Sequence, residues 1–112
     1  MDSPRNRRFV MGKTFLYTEI QAAVPFDQFD WHEINAALKT APGLIRKTWL
    51  SGIGTHTVGG FYEFDSAQNA LAFAQGPFAE EARRAGAPAT TRLFDGDIVK
   101  DASTDLNSPY YT

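Results

Sequence analysis

The chain contains no cysteine, and that absence excludes three kinds of chemistry at once. Disulfide staples, thiolate zinc sites and cysteine nucleophiles all need a sulfur that is not there. The lack of disulfides is compatible with a reducing cytosol. No apolar run approaches the roughly 20 residues a helix needs to cross a bilayer. Arg5, Arg7 and Arg8 are not followed by the apolar core of a signal peptide, so the cytoplasm is the expected compartment and no membrane is expected as partner. The formal charge of −2 gives no electrostatic footing for nucleic acid. Only two histidines occur, with no H-x-x-x-H spacing and no facial triad, so no metal is expected. G-x-S-x-G and phosphate-binding glycine loops are also missing, which weakens hydrolase and nucleotide readings.

What is present is aromatic. The 112 residues include nine phenylalanines, enough for a core plus an apolar pocket or interface. The length fits a single domain. The first twelve residues, polar and basic, read as a flexible arm. Residues 13–100 carry the regular patterns, and 101–112 read as a polar tail.

Lys13 to Val24 alternates like a strand, with Phe15, Tyr17 and Glu19 facing one way and Thr14, Leu16, Thr18 and Ile20 the other. Pro25 suits the start of a helix. Phe26, Phe29, Ile34, Ala37, Leu38 and Ala41 recur at helical spacing to about residue 41, where Pro42-Gly43 ends the pattern. Leu44–Leu50 and His56–Phe64 read as strands joined across Ser51–Thr55, a glycine-bearing turn. On the first strand Ile45, Lys47, Trp49 and Ser51 share one face, and Leu44, Arg46, Thr48 and Leu50 the other. On the second, His56, Val58, Gly60, Tyr62 and Phe64 line one face.

Asp65 or Ser66 is placed to cap the next helix, whose stripe is Ala67, Ala70, Leu71 and Ala74. Gly76-Pro77 interrupts, Phe78–Ala85 reads as a further turn or two of helix, and Gly86 stops it. Thr90–Val99 reads as a fourth strand with a bend at Gly96.

The order is β-α-β-β-α-β. The expected fold class is α+β, a ferredoxin-like antiparallel sheet with helices on one face. The other face is then apolar over roughly several hundred Å², more than a monomer commonly exposes. A homodimer with two sheets face to face is the expected solution.

The hairpin gathers the candidate chemistry. His56 titrates in the range useful for proton transfer, or is a polar residue satisfied by backbone at a turn exit. Trp49 is a pocket wall for an aromatic ligand, or core, or interface. Tyr62 donates a hydrogen bond to a ligand oxygen, or pairs with buried backbone. Lys47 holds an anion, or snorkels to solvent, or pairs with Glu63 or Asp95. His32, beside Trp31 and Glu33, reads as a rim residue. Phe64, Phe15 and Tyr17 complete the set as candidate apolar contacts to substrate.

The hairpin spacing, PG-x3-K-x-W…H-x2-GG-x-Y-x-F from Pro42 to Phe64, resembles the YdhR-type monooxygenases. These belong to the dimeric α+β barrel group that includes antibiotic-biosynthesis monooxygenases. Ala70-Leu71-Ala72 and Phe94-Asp95 extend the resemblance across about residues 13 to 100. The resemblance implies a dimeric α+β barrel and a small oxygenase acting on an aromatic or polyketide-like compound without metal or flavin. His56, Tyr62 and Lys47 are then the candidate catalytic groups, and Trp49, Phe64, Phe15 and Tyr17 the candidate substrate contacts. A cyclase or isomerase using the same pocket and a non-catalytic binding dimer are the alternatives. The N-terminal arm and the Pro109-Tyr110-Tyr111 tail have no counterpart in it.

Overall fold

The computed structural model describes residues 12–111, so the expected N-terminal arm lies outside the described residues. Four antiparallel strands, β1 (Thr14–Gln21), β2 (Leu44–Ser51), β3 (Thr57–Phe64) and β4 (Ala89–Asp95), form one sheet in the order β2-β3-β1-β4. Helices α1 (Trp31–Leu38), α2 (Ala67–Phe73) and α3 (Ala79–Ala85) belong to the two crossovers. This is the expected ferredoxin-like α+β fold. Among the described residues no helix is long and apolar enough to cross a membrane.

Alternation along the central strands decides what each face holds. Leu16 pairs with Tyr62 across β1 and β3, and Thr14 with Phe64. These residues face the helices, where Leu16, Tyr62 and Phe64 join Ala70, Phe73 and Ala74 in the core. Leu16, Phe64 and Ala70 are fully buried. Alanines on α2 let the helix sit close to the sheet, and Phe73 fills the space between Tyr62 and Phe64 at ring distances of 5.2 and 5.7 Å. Phe73 takes the place expected of Leu71, which is 43% exposed.

Several expected elements differ in detail. The first helix is shorter than its apolar spacing suggests. Phe26–Gln28 makes a single 3-10 turn, Phe29 is extended, and α1 starts only at Trp31. Phe26 and Phe29 stack on each other at 6.0 Å, and Phe26 leans on Trp49 at 5.4 Å, so they satisfy the spacing without being helical. Ser66 is the cap of α2 and accepts the backbone N–H of Asn69 at 3.1 Å. Gly76-Pro77 does not interrupt the chain's helical path. A π turn over Ala74–Phe78 connects α2 to α3. Its wider loop accommodates a residue that lacks an N–H and would crowd the preceding turn of an α-helix. Gly86 closes α3 in the left-handed conformation, φ 64°.

β2 carries a bulge. Leu44 lies opposite Phe64, but Arg46 lies opposite Glu63, leaving Ile45 as the extra residue. Leu44 therefore packs on the core, on the same side as Lys47 and Trp49, and not with Arg46 as simple alternation requires.

β4 ends at Asp95 and not at Val99. The Asp95 carboxylate accepts the N–H groups of Asp97 and Ile98, turning the chain away from the sheet. The segment beyond it is structured: helix α4 (Lys100–Asp105) leads to a 3-10 turn, Pro109–Tyr111. That turn lies on the face opposite the helices. Tyr110 meets Phe15 at 5.7 Å and Phe61 at 5.5 Å, Tyr111 meets Phe15 at 6.1 Å, and the Tyr111 hydroxyl donates to the Gly96 carbonyl at 2.6 Å. The tail thus covers, within one chain, part of the face that the sequence leaves bare. Phe15 is only 6% exposed, whereas Phe94 and Leu50 on the same face are 49% and 37% exposed.

Candidate functional site

The bulge and the strand register bring Lys47, Trp49 and Tyr62 together. Lys47 lies opposite Tyr62 and Trp49 opposite Gly60, so all three side chains stand on the helix side of β2 and β3. The Lys47 ammonium position is 3.3 Å from the centre of the Trp49 ring system and 4.7 Å from the Tyr62 ring. Gly60 makes this possible. A Cβ there would meet Lys47 Cε at 2.5 Å and the Tyr62 ring at 2.9 Å. The lysine stem runs through the space that a side chain would take.

Burial lowers the Lys47 pKa from 10.5 to about 7, because the charged form loses hydration. The two aromatic faces act the other way, since their quadrupoles attract a cation. The result is an amine whose two protonation states lie close in free energy near neutral pH. Among the described residues no carboxylate lies within ion-pair distance of it. The expected partner Glu63 is unavailable for a geometric reason. It lies next to Tyr62 in β3 and so points to the opposite side of the sheet. There Lys13 Nζ contacts it at 2.6 Å, and Arg46 Nε lies 3.2 Å from its other oxygen.

Two polar groups hold the aromatic walls. The Trp49 indole N–H donates to Asn35 Oδ1 at 2.9 Å, tying the edge strand to α1. The Thr18 hydroxyl donates to the Tyr62 hydroxyl at 3.4 Å. The Tyr62 pKa is raised by burial, while the Thr18 hydrogen bond pulls it down. Next to this group, between α1 and β2, is an open cleft of about 350 Å³, lined by Asn35, Leu38 and Lys39 from the helix side and Leu44, Lys47 and Trp49 from the strand. Ile45 and Arg46 complete its lining.

The other candidates lie elsewhere. Phe64 is on the same side but fully enclosed in the core, 6.2 Å from the Tyr62 ring. Phe15 and Tyr17 stand on the opposite face, Phe15 beneath the C-terminal turn and Tyr17 donating to Glu19 at 2.8 Å. His56 is exposed at the hairpin turn with φ 56°, and its carbonyl accepts the Ala22 N–H at 2.9 Å. It does not line the cleft. His32 stacks on Trp31 at 3.7 Å at the exposed start of α1. Among the described residues no three His, Asp or Glu side chains converge as metal ligands.

Asn35, Thr18 and Lys39 are not among the site residues expected from the sequence. For Asn35 and Lys39 a signal existed: with Leu38 they fall at i, i+3 and i+4 on one face of a helix, and all three line the cleft.

No family model matches this sequence, and no curated protein matches it. Among solved structures, the chain is similar to a putative monooxygenase from Shewanella loihica PV-4, with a TM-score of 0.53 and 13% identity. The match covers 75% of this chain and 93% of that one. The likeness is one of fold.

Proposed function

We propose that the chain is a small oxygenase whose substrate is a flat phenolic compound bound in the cleft between α1 and β2. The observation that carries this reading is the Lys47 amine, held between two aromatic faces without a carboxylate partner. Its fold likeness to a monooxygenase-like domain supports the same class.

The chemistry follows from the position of that amine. In its neutral form Lys47 takes the phenolic proton, and the ammonium so formed stays beside the phenolate. Trp49 and Leu38 flank the ring from the strand and the helix, and Asn35 is the neutral polar side chain of the lining. Tyr62, buried with its hydroxyl bonded to Thr18, backs the amine without lining the cleft. The phenolate passes an electron to dioxygen, and recombination forms a carbon–oxygen bond at a ring carbon. The Lys47 ammonium returns its proton to the peroxide anion, and the hydroperoxide then loses water, taking the hydrogen of that ring carbon, to leave a quinone. The ring supplies all four electrons that convert dioxygen into one quinone oxygen and one water, so the scheme calls on no bound electron carrier.

The test is oxygen uptake with a panel of hydroxynaphthalenes, with and without Lys47→Met. Uptake that falls by roughly a hundredfold in the variant supports the reading. Turnover of a panel member without oxygen uptake would replace it by a cyclase or isomerase, for which the same amine is the acid-base group. If Lys47→Met and Tyr62→Phe bind ligand as the wild type does and no turnover is seen in any of the three, the cleft is a binding site only.

For the assembly, the proposal is a homodimer through the part of the open face that the C-terminal turn leaves uncovered, with half-exposed Phe94 on one edge strand and Leu50 on the other. Light scattering at micromolar concentration checks it, with a 12.4 kDa particle as the opposing result.

A further inference from the structure

Three charged residues line the cleft, Lys39, Arg46 and Lys47, and all are cationic. Among the described residues no carboxylate contributes to its lining. Arg46 is already compensated by Glu63 across the sheet edge. Lys39 and Lys47 have no ion-pair partner among the described residues. The carbonyls ending α1 do not compete for Lys39. Those of Asn35, Ala37 and Leu38 accept the N–H groups of Lys39, Thr40 and Ala41.

The two free cations sit at different depths. Lys47 is partly buried against Trp49 and Tyr62, while Lys39 is exposed at the rim, one turn along from Asn35. The lining also includes the aliphatic side chains of Leu38, Leu44 and Ile45. A cleft with aliphatic and aromatic side chains in its lining, one cation inside and one at its mouth selects a flat molecule with acidic character at each end.

We infer that the cleft takes a hydroxylated aromatic carboxylate, its hydroxyl at Lys47 and its carboxylate at Lys39. The inference rests on the reading that this cleft is the ligand site. It does not depend on what happens to oxygen afterwards.

The test uses binding alone. The indole N–H resonance of Trp49, hydrogen-bonded to Asn35, reports occupancy in proton–nitrogen NMR, and Trp31→Phe assigns it. Three probes are titrated: 2-naphthol, 2-naphthoate and 6-hydroxy-2-naphthoate. The doubly substituted probe is expected to bind roughly fivefold more tightly than 2-naphthol at low salt, the gain of one partly exposed ion pair. Lys39→Gln is expected to remove that gain and leave 2-naphthol affinity unchanged. Lys39→Arg is expected to keep it. Because Lys39 is exposed, these variants fold as the wild type does. Equal affinity for 2-naphthol and 6-hydroxy-2-naphthoate, a gain that survives Lys39→Gln, or no shift of the Trp49 resonance with any probe at millimolar concentration would each overturn the inference. Oxygen uptake with neutral phenols alone would leave the oxygenase reading standing while this one fell.

Discussion

On one face of the sheet Glu63 lies between Lys13 and Arg46, with Phe15, Tyr110 and Tyr111 closing over them. On the other face Lys47 lies between Trp49 and Tyr62 with no acid in ion-pair distance among the described residues. Both clusters set cations against aromatic rings, and Arg46 and Lys47 on β2, like Tyr62 and Glu63 on β3, are chain neighbours on opposite faces. They differ in whether charge is matched. The Glu63 carboxylate is only 4% exposed and has two cations beside it. The Lys47 amine is uncompensated, and its protonation is left to respond to whatever enters the cleft. A matched cluster holds the fold; an unmatched one is available for chemistry.

The comparison can be broken first through pH. Lys47 has a folded pKa of about 7 against 10.5 when unfolded. Between these values the unfolded chain binds the extra proton, so stability rises with pH across that window. Below pH 7 both states are charged, and the folded state bears the full cost of burying the ammonium. Urea unfolding is expected to show wild type gaining on Lys47→Met by the order of a few kcal/mol between pH 7 and 10. Parallel pH profiles would mean that the amine is better hydrated than its surroundings indicate.

Next is the matched cluster. Glu63→Gln strands Lys13 and Arg46 beside buried aromatic rings. With Arg46 half exposed, the expected loss is about 2 kcal/mol in the same assay, below the usual range for a fully buried pair. This variant is expected to leave cleft occupancy untouched, which Lys47→Met is not. A smaller effect tests the cover over Glu63. Tyr111→Phe removes the hydrogen bond to the Gly96 carbonyl and is expected to cost about 1 kcal/mol. The smallest sits on the cleft side. Asn35→Ala frees the Trp49 indole N–H, which solvent can partly satisfy, for a loss of about 0.5 kcal/mol with the Trp49 resonance displaced.

Much of the sheet was legible because strands of period two announce their faces. Leu16, Tyr62 and Phe64 on one side, and Phe15 and Phe61 on the other, follow from alternation alone. Lys47, Trp49 and Tyr62 could be grouped for the same reason. Contacts between elements were not legible. The Asn35 bond to Trp49 joins residues on a helix and a strand, and no periodicity within either specifies it. Phe26 and Phe29 fitted a helical stripe because two stacked rings near Trp49 occupy positions three apart, whatever backbone links them. The C-terminal turn was missed because α4 carries no apolar stripe. Its anchoring comes from two tyrosines, which look equally well like a polar tail.

The extra residue at Ile45 gives β2 one place of slack. Delete it, and Leu44 stays opposite Phe64 while Arg46 and Lys47 stay opposite Glu63 and Tyr62, now in plain alternation. The residue that breaks the period is therefore the one that β2 can lose without turning any neighbour over. Relatives that lack that single insertion would keep the same cleft.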